Sequence, residues 1–339
     1  MRRTDVHDTM ADMMFGYWVS QTIRAAVDLS LADHLAEGPL CADEVAQREE
    51  SAPETTFRLM RACVDIGLLT ADAEGRFYST ELLETLRTDA PRSLRAMALA
   101  VTNTAHWLPW NQFVSSVRTG ESQGHRALGM PIFEYLARHP EQAQEFSAGM
   151  ASVTSLWGLD AVKLLDTTNV RCAVDVGGAH GALLTRLQEA NPALHGIVFD
   201  RPNVTPNAEV EIARNGFAER TKVVGGDFFE SVPGGDLYLL KFILHDWDDE
   251  SCITILRRCR EAMDSDGRVA IMEMIVGEPT SPGVSALSDL NMLAVAGGRE
   301  RSLAEYDALL SKAGLRRTAV YSSGSPQSVI EAVVATTVS

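Results

Sequence analysis

The 339-residue chain is 45% hydrophobic and 22% charged, and it carries a net charge of −16 at pH 7. Its length accommodates two domains with separate cores, and the acidic balance disfavours a nucleic-acid partner, which needs a basic face. No apolar run approaches a membrane span, and Met1-Arg2-Arg3-Thr4-Asp5 leads into amphipathic sequence without the apolar core of a secretory signal, so a cytoplasmic location is expected.

Residues 7–37 read as helix, with apolar positions around Met13-Met14, Trp18-Val19, Ile23, Val27, Leu31 and Leu35 recurring at three- and four-residue spacing. Gly38-Pro39 stops that run. A short helix follows over Ala42 to Glu49, and Pro53 opens another that carries Phe57, Leu59-Met60 and Cys63-Val64 up to Gly67. Leu68-Leu69-Thr70, a polar turn at Asp72 to Gly75, and Arg76-Phe77-Tyr78-Ser79 then form a small hairpin. Three short helices and a hairpin make a winged helix-turn-helix pattern. Such a scaffold binds DNA or serves as a dimerisation or lid domain. The charge balance, with only Arg58 and Arg61 as cations on the second-to-last element, favours the latter.

Residues 92–165 are helical again, interrupted at Pro109, Gly120, Gly124, Gly129-Met130-Pro131 and Pro140. Trp107 and Trp110 within this stretch serve either as core or as walls for a flat ligand. From Val170 the pattern alternates. Strands are expected at Ala173–Val176, Gly196–Phe199, Lys222–Val224, Leu237–Leu240, Val269–Glu273, Arg317–Val320 and Ser328–Val334. Helices are expected at Ala182–Glu189, Val210–Asn215, Asp249–Met263 and Leu303–Ala313. This is an α/β, doubly wound, mostly parallel sheet whose last two strands supply an antiparallel edge hairpin. The five cysteines are scattered without a CxxC pair, so reduced thiols are expected. No HExxH-type ligand spacing occurs, and no metal site is expected.

The chemistry is expected at strand ends. Val174-Asp175-Val176-Gly177-Gly178-Ala179-His180-Gly181 is a buried strand that ends at an acid and a glycine-rich turn before a helix. The spacing of Gly177, Gly178 and Gly181 is not the GxGxxG dinucleotide fingerprint. Asp200 ends the next strand, where a carboxylate either accepts two ribose hydroxyls or caps the following turn. Gly226-Asp227-Phe228 ends the third, an acid and a ring suited to adenine. Asp175 sits directly before the glycines, where it suits a cationic methionine end and repels a pyrophosphate, so S-adenosylmethionine is favoured over NAD. His180 is expected to face solvent.

His245, in Leu244-His245-Asp246-Trp247, lies just beyond the fourth strand end. A neutral imidazole there is a candidate general base, against the alternative of a structural cap. Glu273, ending the next strand, and Glu300, in Gly297-Gly298-Arg299-Glu300-Arg301, are candidates to orient its far nitrogen. Glu300 among arginines also reads as a plain ion pair.

These motifs, in this order and approximate spacing, resemble the small-molecule O-methyltransferase family that includes plant caffeic acid and isoflavone enzymes and a bacterial antibiotic-tailoring branch. The likeness spans nearly the whole chain. It implies a Rossmann-like class I methyltransferase domain with a mostly parallel seven-stranded sheet (166–339), an N-terminal all-helical winged-helix domain that forms a homodimer (1–100), and a helical linker contributing to the substrate pocket (101–165). It implies S-adenosylmethionine held by Asp175, Gly177, Gly178, Gly181, Asp200, Arg201, Gly226, Asp227, Phe228, Lys241 and Met150. His245 is implied as base, flanked by Glu273 and Glu300. Asn103, Trp107, Phe146, Phe242, Asp246, Asn291 and Met292 are implied to receive an aromatic acceptor. The chain departs from the family at Ala179-His180, where a third glycine is frequent. Transfer to an aromatic hydroxyl is the expected reaction. Transfer to an aromatic amine, a diverged non-methylating reaction and a DNA-binding regulator are its rivals.

Overall fold

The computed structural model describes residues 5–280, 283–322 and 324–335; residues 1–4, read above for the absence of a signal, lie outside them. Its contacts divide the chain into two compact units. One runs to Thr104 and takes in Gln144–Ser152; the other comprises Ala105–Ala143 and everything from Val153 onward.

In the first unit the expected long helix ends early. It covers Val6–Asp28, and a separate turn of helix spans Leu31–His34. Ser30 breaks the run by adopting a left-handed conformation, φ +45°. The break turns Leu31, Ala32 and Leu35 into a core with Val27, Val45, Met60, Cys63 and Phe77. The longer helix, in contrast, leaves Met10, Met13, Met14, Tyr17 and Trp18 exposed. Helices Ala42–Arg48 and Pro53–Asp65 lead to a hairpin of β1 (Leu69–Ala71) and β2 (Phe77–Ser79). The unit is therefore not all-helical: Leu40 also bridges to Phe77, completing a small wing.

The second unit holds all seven expected strands, β3 (Cys172–Val176), β4 (His195–Asp200), β5 (Thr221–Gly225), β6 (Gly235–Lys241), β7 (Met263–Met274), β8 (Leu315–Ser322) and β9 (Gln327–Val334). They lie in the order β5-β4-β3-β6-β7-β9-β8. β5 through β7 run parallel, while β9 and β8 add antiparallel at one edge. Both sheet faces are covered, one by helices Asp249–Ala262 and Leu303–Ala313, the other by Ala182–Ala190 and Thr205–Arg214. Burial on both faces explains the continuous apolar run Leu237–Leu240 of β6. The strand order reverses between β3 and β6, the switch point where open α/β sheets bind ligands at their carboxyl ends. A helix not read from sequence, Ser285–Val295, lacks a side-chain cap at its start.

Candidate active site

The carboxyl end of β3 shows why the glycines are needed. Asp175 is buried, and its Oδ2 has no hydrogen-bond partner among the described residues. Burial pushes its pKa up to about 7 despite the nearby Lys241 ammonium. The carboxylate folds back under the turn, so that a Cβ at Gly178 would lie 2.8 Å from its Cγ. Gly177 is left-handed (φ +70°), and a Cβ there would strike Ile243 at 2.4 Å. Ala179 also adopts the left-handed region, φ +47°, which costs an L-residue about 1–2 kcal/mol. That conformation gives the physical reason a glycine suits this position.

Asp200 joins this turn to β4. Its Oδ2 accepts from the Ala179 amide at 2.8 Å and its Oδ1 from the Arg201 amide at 2.7 Å. The turn-capping role is thus real, yet each oxygen keeps a lone pair for a diol. Asp227, after β5, is exposed, and its Oδ1 accepts from the Phe229 amide at 2.8 Å. A Cβ at Gly226 would press on the Phe199 ring at 2.5 Å. Phe228 is partly buried and meets Trp247 edge-on, ring centroids 5.9 Å apart. His180 is partly buried rather than solvent-facing, and burial holds its pKa below the ordinary value. Lys241, ending β6, has its pKa lowered to about 8 by burial, against the raising effect of Asp175 and Glu273.

A buried carboxyl group with one unpartnered oxygen, bare backbone on either side and a diol acceptor at the next strand end fit the cationic methionine end and ribose of S-adenosylmethionine. The same set would reject a pyrophosphate.

The chain leaves β6 through Phe242, left-handed at φ +52°, into a single 3₁₀ turn, Leu244–Asp246. Glu273 Oε1 accepts from the amides of Ile243, Leu244 and His245 at 3.0, 2.9 and 3.4 Å. This expected orienter of the ring therefore acts chiefly as a cap on the turn's free amides. Its Oε2, unpartnered, lies 3.6 Å from His245 Nδ1. Glu300 is the direct ring partner: Nδ1 lies 2.9 Å from its Oε1. Ser288 Oγ donates to that oxygen at 2.7 Å, and the Glu300 amide donates to Asp289 Oδ1 at 2.9 Å. On the other side of the ring, Nε2 is 3.7 Å from Asp246 Oδ1. Phe242 stacks on the imidazole, centroids 5.0 Å apart and planes 13° from parallel.

Burial disfavours a charged His245, but the charges of Glu273, Asp246 and Glu300 together outweigh it and raise its pKa to about 10. Burial lifts Glu273 to about 7 and Asp246 to about 6, each restrained by the charge of His245. These groups share protons as one unit.

His245 is raised from 6.5, so its contribution is full below pH 6.5 and is lost as pH climbs toward 10. Glu273 and Asp175, raised to about 7, likewise bind protons more tightly in the folded chain and lose that advantage up to pH 7. His106, lowered to about 4 by burial, acts below 6.5, and Lys241 acts in the opposite sense only above about 8. Between pH 6.5 and 8 the urea midpoint of the cofactor-free protein is therefore expected to fall. The measurement is a urea titration at both ends of that window, with His245→Gln showing a shallower decline.

The second unit contains Asp175, the glycines, Asp200, Arg201, Asp227, Phe228, Lys241, Phe242, His245, Asp246, Glu273 and Glu300. Asn291 Oδ1 accepts from the Trp110 indole at 3.3 Å; Met292 follows on the same helix, and Trp107 is partly buried on the same unit's Ala105–Ala143 segment. Asn103, Phe146 and Met150 belong to the first unit. Sequence reading missed Ser288, Asp289, Gly298 and Arg301, all of which hold the base or its partner. Gly298 and Arg301 stood beside Glu300 in a motif read only for its acid.

The O-methyltransferase domain family matches residues 110–316, and the O-methyltransferase dimerisation domain matches residues 11–89. Phenazine O-methyltransferase PhzM of Lysobacter antibioticus is 34% identical over 324 residues, 95% of each chain. The O-demethylpuromycin-O-methyltransferase of Streptomyces alboniger is 37% identical, over 94% of this chain and 87% of its own. The crystal structure of human N-acetylserotonin methyltransferase in complex with S-adenosylmethionine superposes with a TM-score of 0.91 at 30% identity, covering 99% of this chain and all of that one. The chain thus belongs to the S-adenosylmethionine-dependent O-methyltransferases.

Proposed function

We propose that the chain methylates a hydroxyl of an aromatic small molecule in secondary metabolism, with His245 as general base. The observation that carries this reading is the buried Nδ1–Glu300 contact at 2.9 Å. It leaves Nε2 as the nitrogen that meets the acceptor. When bound, the cofactor supplies a methyl group already activated by the sulfonium, so the protein's task is alignment and proton removal. A phenol has a pKa near about 10, and a positioned imidazole removes its proton as the oxygen attacks. Glu300 then faces the imidazolium, while Glu273 keeps the turn from moving.

Asp175, Gly177, Gly178, Gly181, Asp200, Arg201, Gly226, Asp227, Phe228, Lys241 and Met150 are proposed to hold the cofactor. Asn103, Trp107, Phe146, Phe242, Asp246, Asn291 and Met292 are proposed to receive the acceptor. The phenazine-modifying relative supports a flat aromatic acceptor. Residues 1–100 would form the dimerisation domain, 101–165 a pocket-building linker and 166–339 the catalytic domain. The exposed Met10, Met13, Tyr17 and Trp18 face supports a homodimer through the first of these. No described helix is long and apolar enough to cross a membrane, and all five cysteines are free, which suits a reducing cytoplasm. The acidic charge argues against nucleic acid as a partner.

Mass-spectrometric screening of phenols, hydroxyquinones, phenazines and aryl amines should yield O-methyl products and S-adenosylhomocysteine. Turnover of amines alone would overturn the hydroxyl assignment. Glu300→Gln removes the hydrogen-bonded charge from Nδ1, so His245 titrates lower. The acid limb of kcat/KM should move down by about 1–3 pH units, and its plateau should fall roughly 10–100-fold as orientation is lost. An unmoved acid limb would separate Glu300 from the base.

A further inference from the structure

The turn that carries His245 is held at both ends. Three residues of 3₁₀ helix leave amides free at the start and carbonyls free at the finish. Glu273 takes the amides. The carbonyls converge on Arg301, a guanidinium with 0% exposure. Its Nη1 donates to Leu244 O and its Nη2 to Trp247 O, each at 2.8 Å. His245 O, between them, accepts from the Arg299 amide at 2.8 Å. Asp249 anchors the guanidinium from outside, its Oδ1 accepting from Nε at 3.0 Å and from Nη2 at 2.8 Å.

We propose that Arg301 is a positioning residue for methyl transfer: it clamps the carbonyl end of the His245 turn and so fixes where Nε2 points. Glu300 and Arg301 are consecutive, and a short parallel bridge from Arg301 to Ile275 ties them to the end of β7, the strand that also supplies Glu273. One rigid segment therefore sets the imidazole ring through Glu300 and the backbone beneath it through Arg301. An arginine suits the position because its planar fork reaches two carbonyls and a carboxylate at once, whereas a lysine has a single point charge to offer. A negative group on the amide end and a positive group on the carbonyl end also complement the turn's dipole. Removing the fork frees the turn to relax while leaving the glycine cradle at β3 and β4 untouched.

The test is Arg301→Met and Arg301→Lys, with Arg260→Met as a control for loss of a structural arginine. Arg260 donates to Ala313 O at 2.9 Å, near the end of helix Asp249–Ala262 opposite the Asp249 that anchors Arg301. A displacement near 1 Å costs about 100-fold in rate, and Arg301→Met is expected to lose kcat on that scale. S-adenosylhomocysteine affinity by calorimetry should stay at its wild-type value, and Arg301→Lys should lie between. Added guanidinium chloride should restore part of the kcat of Arg301→Met, where sodium chloride at equal concentration does not. Should Arg301→Met fail to fold, Asp249→Asn loosens the same guanidinium from its exposed side and is expected to lower kcat by roughly tenfold at unchanged cofactor affinity. Full kcat in the folded Arg301 or Asp249 variants, or an equal loss in Arg260→Met, would overturn the assignment. Loss of cofactor affinity in step with kcat would overturn it as well.

Discussion

Replacing His245 with glutamine is expected to lower kcat at neutral pH by roughly 10²–10⁴-fold, the usual worth of a positioned general base. Glutamine keeps a hydrogen-bonding group near Glu300, so the cluster is not emptied, and the cofactor cradle at β3 and β4 is built from other residues. S-adenosylhomocysteine binding should therefore persist. The pH dependence sharpens the result. Whereas the wild-type limb of log kcat/KM follows His245, only acceptor molecules that have already ionised can attack in the variant, whose limb follows the acceptor's own pKa, near about 10 for a phenol. There the variant should approach the wild type. A variant with full activity at pH 7, or with no gain at high pH, would remove His245 from the proton path.

The second large effect is expected at Gly298. A Cβ built there lies 1.9 Å from His245 O and 2.5 Å from Asp246 C, both backbone atoms, whereas ordinary contact begins at 3.4 Å. Gly298→Ala must therefore push the base's turn aside by more than an ångström. Over-packing of this kind costs typically about 1–3 kcal/mol, and the shift in the base costs about 100-fold in rate. The expected outcome is a lowered urea midpoint together with a kcat loss larger than Gly297→Ala produces, because a Cβ at Gly297, although strained by its left-handed backbone (φ +85°), meets only Ser122 Cβ, at 3.3 Å, and not the turn of the base. Equal activity in the two alanine variants would show that the turn yields without cost.

These two residues illustrate how far the site was legible. His245 was visible because its residue type and its place after a strand end both suggest proton transfer. Gly298 was not, because the demand on it comes from a turn fifty residues earlier in the chain. The same holds for Arg301, which in sequence is one more charged neighbour of Glu300 and in the fold is a fully buried clamp. The strands were readable because burial on both sheet faces makes them continuously apolar. The long first helix was misjudged because periodicity does not record Ser30's left-handed backbone. Glu273 was recognised as part of the cluster, yet its partners are backbone amides, and no side-chain pattern encodes those.

Asp175 has a wider consequence. Its unpartnered oxygen, sealed under the glycine turn, puts the folded chain at a disadvantage that a cationic ligand relieves. Whatever binds the folded chain and not the unfolded one slows loss to proteases through the open state by a factor of one plus the ratio of free ligand concentration to Kd. Methyl-donor supply would thus govern how long this enzyme survives as well as how fast it turns over.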